Sequence, residues 1–553
     1  MSNKSILLLS NYSSQFLSKE LIKVFDSKNV HFEIIEADYN SIDFQILDDS
    51  STIYDNEPNF IIWHESALTW KRIFYSYDNK DRINFVETFF NRLNSLISKL
   101  SSKFPNAEII FPNFDFSFYD NVGGNIDYMD LHAWDYTIKK INFDLINFSQ
   151  KFEFLKIIKS IPSNTKFHIY DNKLIDLADL HFSIDYLKWL SSRICTTINS
   201  SLGILKKCLI LDLDNTLWGG VVGDDGHDGI KIGDYPGGRP FMDFQNWILE
   251  HKKRGVILCV CSKNQEDAAK SAFTKNENML LKLEDISVFI ANWENKHKNI
   301  EAIQEILNIS FDSLVFIDDN PAERDIVRKY LPDVLVPEIP KSPEDYVEYL
   351  TMLNIFEQPP FSNNLTDRTT HFQKESKRVK ESMLFTNISD YLISLNMKGK
   401  INSFQDSDIE RVSELSLRSN QFNLTTIRYS IGDLKKIMTD KNYFTYQIKL
   451  SDKFGEYGLI CCCIVKKEGE NSFIESLYMS CRVLKRGVEK LLFNKIISDL
   501  RINNIKNLYA QYLPTKKNSL VKNLLKEFGM KENKSNNYSI EINNYKPFKV
   551  YIK

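Results

Sequence analysis

Residues 207–226, KCLILDLDNTLWGGVVGDDG, decide how the chain is to be read. Lys207 opens an apolar run that ends in two aspartates, Asp212 and Asp214, with Leu213 between them. A strand without polar alternation is what a parallel sheet covered on both faces requires. In such sheets ligands bind beyond the carboxyl ends of the strands, which is where Asp212 and Asp214 fall. Two carboxylates held this close repel unless a cation neutralises them or one keeps its proton.

Three more apolar runs follow the same plan. Val256–Cys261 ends in Ser262-Lys263-Asn264, Val288–Ala291 is followed by Lys296 in NWENKHKNI, and Leu314–Ile317 ends in Asp318-Asp319-Asn320. Four strand ends would then bring carboxylates, a hydroxyl, an ammonium and more carboxylates to one rim. Oxygen ligands of this kind suit Mg²⁺, and Lys with Ser suits a phosphoryl group.

The string D-L-D-N-T, then Ser262, Lys296 and the pair Asp318-Asp319, in that order, resembles the four motifs of the haloacid dehalogenase (HAD) phosphotransferases. With CSKN and FIDDNPAER it is similar to the narrower FkbH-like group, HAD subfamily IIIC. The likeness continues through SNQFNLTT, DKFGEYGLI and SCRVLKRGVE. It implies an enzyme that takes a glyceryl unit from 1,3-bisphosphoglycerate, removes phosphate and loads the acyl group onto an acyl carrier protein as a thioester. By the resemblance, Asp212 is the nucleophile and Asp214 the general acid and base. Mg²⁺ is held by Asp212, the Asp214 backbone carbonyl, and Asp318 or Asp319. Ser262 and Lys296 hold the phosphoryl oxygens, and Thr216, grouped with them as phosphate-binding, orients the loop.

Only about 45 residues separate Thr216 from Ser262, and a helix and a strand consume much of that. The glycine-rich remainder has room for a flap but not for a cap domain. A site without a cap admits large partners, which favours a substrate carried on a macromolecule. Cys261, just before Ser262, is the candidate acyl acceptor, since a thioester route needs a thiolate. Strand alternation counts against it, because Cys261 and Ser262 face opposite ways.

Two flanking regions complete an α/β chain. Residues 1–200 alternate strand-like runs (Ile6–Leu9, Phe32–Ile35, Phe60–Trp63, Glu108–Phe111) with helical stretches such as Phe85–Leu100. Their placement resembles the SGNH-hydrolase-like domain that precedes many FkbH-like proteins. Leu9-Ser10-Asn11 replaces the family's GDS block and Asp179 lies two residues before His181, so a degenerate scaffold is expected rather than a Ser10–His181 esterase. The phosphotransferase domain, a doubly wound parallel sheet without a large cap, spans 201–360. A polar stretch from Gln358 to Thr370 reads as a linker. Residues 361–553 carry a helix near Asp408–Leu417, three strands between Tyr443 and Met479, and helices near Val488–Leu500 and Ser519–Glu527. There Arg482-Val-Leu-Lys485-Arg486-Gly487 is similar to the phosphate-cradling loop of GNAT acyltransferases, and Asn518 with the following LLKEFGM fits the same fold. Lys485 stands where that loop has its first glycine. Arg482, Lys485, Arg486 and Gly487 form the expected dock for a phosphopantetheine arm.

Composition narrows the function classes. The 70 basic and 73 acidic residues nearly cancel, so a nucleic-acid-coating protein is not expected. The eight cysteines contain no CxxC pair, which argues against a structural zinc. The initial ILLL run is too short for a signal peptide, and no window reaches the ~18 apolar residues of a membrane span. A cytoplasmic enzyme is expected, without nucleic-acid or membrane partners. The competing reading is a plain Mg²⁺-dependent phosphatase acting on a sugar or lipid phosphate. A purely binding module is disfavoured by the intact Asp212, Asp214 and Lys296 set.

Overall fold

The computed structural model describes residues 4–27, 30–38, 41–115, 130–162, 167–357, 387–480, 483–515, 517–534 and 536–553. The linker expected from Gln358 to Thr370 therefore lies outside the described residues. The chain divides into two compact units, Met1–Asn199 and Ser200–Lys553.

The first unit is an α/β layer fold. Its five strands, β1 (Ser5–Ser10), β2 (Glu33–Glu36), β3 (Phe60–His64), β4 (Glu108–Pro112) and β5 (Leu155–Ile158), stand in the order β2-β1-β3-β4-β5. Every pairing is parallel. β1 and β3 are buried along their whole length, which is why they read as unbroken apolar runs. β5 is less evident in sequence, since its LKII carries only one fully buried residue.

This sheet encloses a titratable group. The Tyr12 hydroxyl lies 2.6 Å from His64 Nδ1, at the end of β3. Burial, and then the neighbouring His181, pull the His64 imidazole down to about 3. The unfolded chain takes up this proton near 6.5, whereas the folded one refuses it until about 3. Stability from the neutral imidazole is thus complete above about pH 6.5 and is lost as pH falls toward 3. Between pH 7 and pH 5 this group should lower the unit's stability by about 2 kcal/mol. Urea unfolding followed by tryptophan fluorescence at both pH values tests it. His64→Gln should flatten the dependence, and an unchanged slope would refute the assignment.

The second unit holds two sheets. In the first, β6 (Cys208–Leu211), β7 (Ile257–Ser262), β8 (Val288–Ala291) and β9 (Leu314–Ile317) stand in the order β8-β7-β6-β9, again all parallel. Alternation along the strands feeds two separate cores. Leu209, Leu211, Leu258 and Val260 serve one face, and Cys208, Ile210, Cys259 and Cys261 the other. Burying each large apolar side chain contributes roughly 1.5–3 kcal/mol.

The other sheet is mixed, in the order β10 (Lys398–Asn402), β11 (Tyr443–Asp452), β12 (Gly455–Glu468), β13 (Asn471–Met479), β14 (Asn507–Gln511), β16 (Asn537–Glu541), β15 (Lys531–Lys534). Its first strands are antiparallel, whereas β13 and β14 run parallel, joined through the helix Val488–Ile502. This is an α+β arrangement. β10, β14, β15 and β16 are additions to the three strands expected from sequence. Lys207 Nζ donates to the Arg418 carbonyl at 3.0 Å, Asn420 Nδ2 donates to the Gly203 carbonyl at 2.8 Å, and Lys517 pairs with Asp312. These ties reach the parallel sheet at residues preceding β6 and β9. Among the described residues no helix is long and apolar enough to cross a membrane.

Candidate active site

β6 and β9 are neighbours in register, so the residues just beyond them meet. Asp212, Asp318 and Asp319 each place a carboxylate oxygen within 4.8 Å of the others. Lys296, the first residue of the helix Lys296–Leu307, enters from the loop after β8. Its Nζ lies 2.5 Å from Asp318 Oδ2 and 3.0 Å from Asp212 Oδ1. All three of Asp212, Asp318 and Lys296 are buried.

One ammonium cannot balance three carboxylates. Burial, and then the charge on Asp212, push Asp318 up to about 7 against the pull of Lys296. Asp319 is raised for the same reasons in the same order. Burial opposes the Lys296 charge, yet Asp212 and Asp318 together hold its ammonium above the ordinary lysine value. Asp212 Oδ1 is buried and accepts no hydrogen bond beyond its ion-pair contact with Lys296. An all-oxygen donor set with negative charge in excess and a spare buried oxygen fits a hard divalent cation such as Mg²⁺.

The surrounding chain fixes these groups. Asn215 turns the chain after β6 with φ of 54°, a conformation asparagine tolerates better than most residues. Arg324 Nη1 donates to the carbonyls of Asp318 and Asp319, both at 2.8 Å, and its Nη2 reaches Glu338. Thr216 is fully buried and its Oγ1 accepts from the Asp319 N–H at 3.1 Å. It therefore ties β6's loop to β9's, the orienting role the resemblance gives it.

Asp214 stands outside the carboxylate cluster. One oxygen accepts from Trp218 Nε1 at 2.9 Å and from the Val222 N–H at 3.0 Å, and the other from Asn264 Nδ2 at 2.8 Å. Its side chain is thus tied to the following loop. Asn264 also reaches Ser262 Oγ at 3.4 Å, linking the ends of β6 and β7. Asn264, Trp218 and Arg324 are the site residues that motif reading passes over. The asparagine sits inside the CSKN string, but its task shows only once two strand ends are adjacent.

The segment after β6 is small. Gly219 and Lys231 exchange backbone hydrogen bonds at 3.0 and 2.7 Å, enclosing the short helical stretch Val222–Gly229, and the helix Arg239–Lys253 returns to the sheet. That leaves a flap, as the spacing suggests. Loops following the strands expose Trp293 (73%), Tyr235 (43%) and Val221 (38%), apolar surface near the carboxyl rim.

Cys261 is fully buried on the face opposite Ser262, with Sγ 3.7 Å from the Lys296 carbonyl. Burial pushes its thiol well above the ordinary value. A buried, protonated thiol is a poor acyl acceptor.

The segment expected to dock a phosphopantetheine arm is described from Val483 onward. Arg482 lies outside the described residues. Arg486 is buried, its guanidinium over the Tyr457 ring at 4.9 Å, bonded to the Tyr457 hydroxyl and 3.5 Å from Asp452. It holds the loop from inside and presents no charge to a partner, which corrects its place in the docking patch. Lys485 is exposed and adopts φ of 62°, keeping the left-handed backbone a glycine would take, and Gly487 follows at 79°. Asn518, fully buried, bonds to the Asn423 and Leu513 carbonyls and serves the fold.

In the first unit, Ser10 Oγ donates to the Tyr12 carbonyl at 2.8 Å, while His181 Nε2 lies 3.0 Å from Asp179. The Tyr12 ring stacks on His181 at 5.8 Å. The serine hydroxyl is spent on backbone, which fits a scaffold better than an esterase.

The profile of the family described as FkbH, N-terminal domain, matches residues 5–199. The N-terminal part of the protein BF1531 from Bacteroides fragilis, containing a phosphatase domain and complexed with Mg, is 37% identical in sequence. It covers 65% of this chain and 95% of its own, with a TM-score of 0.62. The ribosomal-protein-S18-alanine N-acetyltransferase from Escherichia coli is 12% identical over 26% of this chain and 90% of its own, with a TM-score of 0.21. No curated protein matches the chain.

Proposed function

Because the chain belongs to the FkbH-like family of HAD-type phosphatases, we propose that it is a Mg²⁺-dependent phosphoryl-transfer enzyme that dephosphorylates 1,3-bisphosphoglycerate and loads the glyceryl group onto an acyl carrier protein. The observation that carries this reading is the buried Asp212–Lys296–Asp318 cluster, with Asp319 beside it, at the carboxyl rim of a parallel sheet.

The chemistry divides between the two phosphates. Asp212 attacks the phosphorus of the 3-phosphate ester. Its oxygen–phosphorus bond forms, the ester bond to carbon 3 breaks, and the leaving alkoxide takes a proton from Asp214. Asp214 then accepts a proton from water as that water attacks the aspartyl phosphate, freeing phosphate and restoring Asp212. Ser262 and Lys296 hold the oxygens in transfer. Asp212, the Asp214 carbonyl, Asp318 and Asp319 would hold Mg²⁺, which supplies neutralisation of the phosphoryl charge. The acyl phosphate at carbon 1 is reserved for the carrier thiolate, which forms the carbon–sulfur bond and displaces the second phosphate. Attack by Asp212 on that second phosphorus would leave a free carboxylate and forfeit the activation.

An open rim with exposed Trp293 supports a macromolecular partner, with Lys485 as the remaining described cation of the C-terminal loop. The burial of Cys261 favours direct transfer to the carrier over a relay through that thiol. It equally suits the second reading, a phosphatase for a sugar or lipid phosphate. Incubation with holo-carrier and 1,3-bisphosphoglycerate, read by intact-protein mass, separates the two. The carrier should gain one glyceryl group, and Cys261→Ala should load as well as the parent. Steady phosphate release without a mass gain would leave only the phosphatase.

A further inference from the structure

The first unit contains a cavity of about 480 Å³, whose described lining residues fall between Asn11 and Arg92. Its position is informative. Asn11 follows β1 and Glu65 follows β3, so the cavity opens beyond the carboxyl ends of the two strands between which the order β2-β1-β3-β4-β5 reverses. Connections from those two strands leave to opposite sides of the sheet, and the crevice that results is where doubly wound sheets bind ligands. Ser10 and His181 are not part of its lining.

The walls define what would fit. The charged lining residues are Asp43, Glu65 and Arg92. Arg92 Nη2 donates to Glu65 Oε1 at 2.9 Å, and its Nε lies 2.8 Å from Asp43 Oδ2. Glu65 is sealed, also accepting from Trp63 Nε1 at 3.1 Å and Trp70 Nε1 at 2.6 Å. Arg92 Nη1 is closed to solvent and has no hydrogen-bond partner. The one cation among the described lining residues is thus paired with two carboxylates, which leaves one negative charge in excess there. Both Asp43 oxygens lie on Arg92, and with 49% of its side chain exposed it is the carboxylate of the two that solvent reaches. Around it stand apolar side chains that are not fully covered, Phe44 at 70% and Ile73 at 38% exposed. Tyr77 adds another ring. Ring faces attract cations, and the surplus carboxylate does the same.

We propose that this cavity binds a small organic amine with an apolar or aromatic body, at a site distinct from the phosphoryl chemistry. The ammonium pairs with Asp43 and the body lies against Phe44 and Ile73, which would otherwise stay wet. A phosphate or carboxylate is disfavoured, because the cation among the described lining residues is already paired with two carboxylates.

Saturation-transfer NMR on the full chain, with 2-phenylethylamine and the similarly sized anion 3-phenylpropionate as probes, tests the assignment. The amine should bind saturably and at least about tenfold more tightly than the propionate. Phe44→Ala, at a position 70% exposed, should weaken the amine by about threefold or more while phosphate release stays unchanged. Asp43→Asn should erase the preference for the amine, since Arg92 then has one fewer carboxylate to satisfy. Absence of saturable amine binding, equal binding of the two probes, or indifference to Phe44→Ala would each overturn the proposal.

Discussion

Asp212→Asn is expected to lower phosphate release by roughly 10⁴-fold at saturating Mg²⁺, while the chain remains folded. The amide cannot act as the nucleophile, and Ser262 and Lys296 hold the phosphoryl oxygens in this scheme rather than attacking phosphorus. Folding should not suffer, because Lys296 keeps Asp318 at 2.5 Å and the cluster loses one of its mutually repelling carboxylates. Without Mg²⁺ the thermal midpoint should stay level or rise. The two readings together are diagnostic, since a generally damaged protein loses both rate and midpoint. A variant that keeps more than about a tenth of the parent rate would place the nucleophile elsewhere.

Lys296→Met is expected to lower rate and stability together. The methionine fills much of the same space, but Asp212 and Asp318 then face each other, both buried, without their common cation. Removing one member of a buried ionic group destabilises by about 3–5 kcal/mol. Urea midpoints should report a loss of that order in the absence of metal. Adding Mg²⁺ should recover part of it, because the divalent ion supplies positive charge to the same carboxylates. Phosphate release should remain low even then, since the ammonium that meets the transferring oxygens is gone. A metal-free midpoint matching the parent would show that Lys296 does not neutralise the cluster.

The two variants also mark what a sequence can disclose. β6, β7, β8 and β9 are legible because strands buried on both faces leave unbroken apolar runs, and each run ends in a polar motif at its carboxyl end. Asp212, Ser262, Lys296 and Asp318 therefore announce themselves by position. Asn264 and Arg324 do not. Their tasks depend on neighbouring strand ends and on backbone carbonyls, and carbonyls have no signature in a sequence. Arg486 shows the opposite error. A cation in a glycine-containing loop reads as solvent-facing, yet Asp452 and Tyr457, some thirty residues earlier on another hairpin, draw it inside. The cavity in the first unit is hidden for a related reason. Asp43, Glu65 and Arg92 lie on different elements, and only the folded sheet brings them together.

The ties of Lys207, Gly203 and Asp312 to the mixed sheet carry one more consequence. They grip the parallel sheet at its amino edge, while the aspartates sit past its carboxyl edge. Between grip and chemistry run only the four residues of β6 and the four of β9, about 13 Å of fully buried backbone. The mixed sheet thus acts as a handle behind the blade. A load on the handle would reach Asp212 and Asp318 as a slide or tilt of two stiff strands, with the cutting edge left free on the other side.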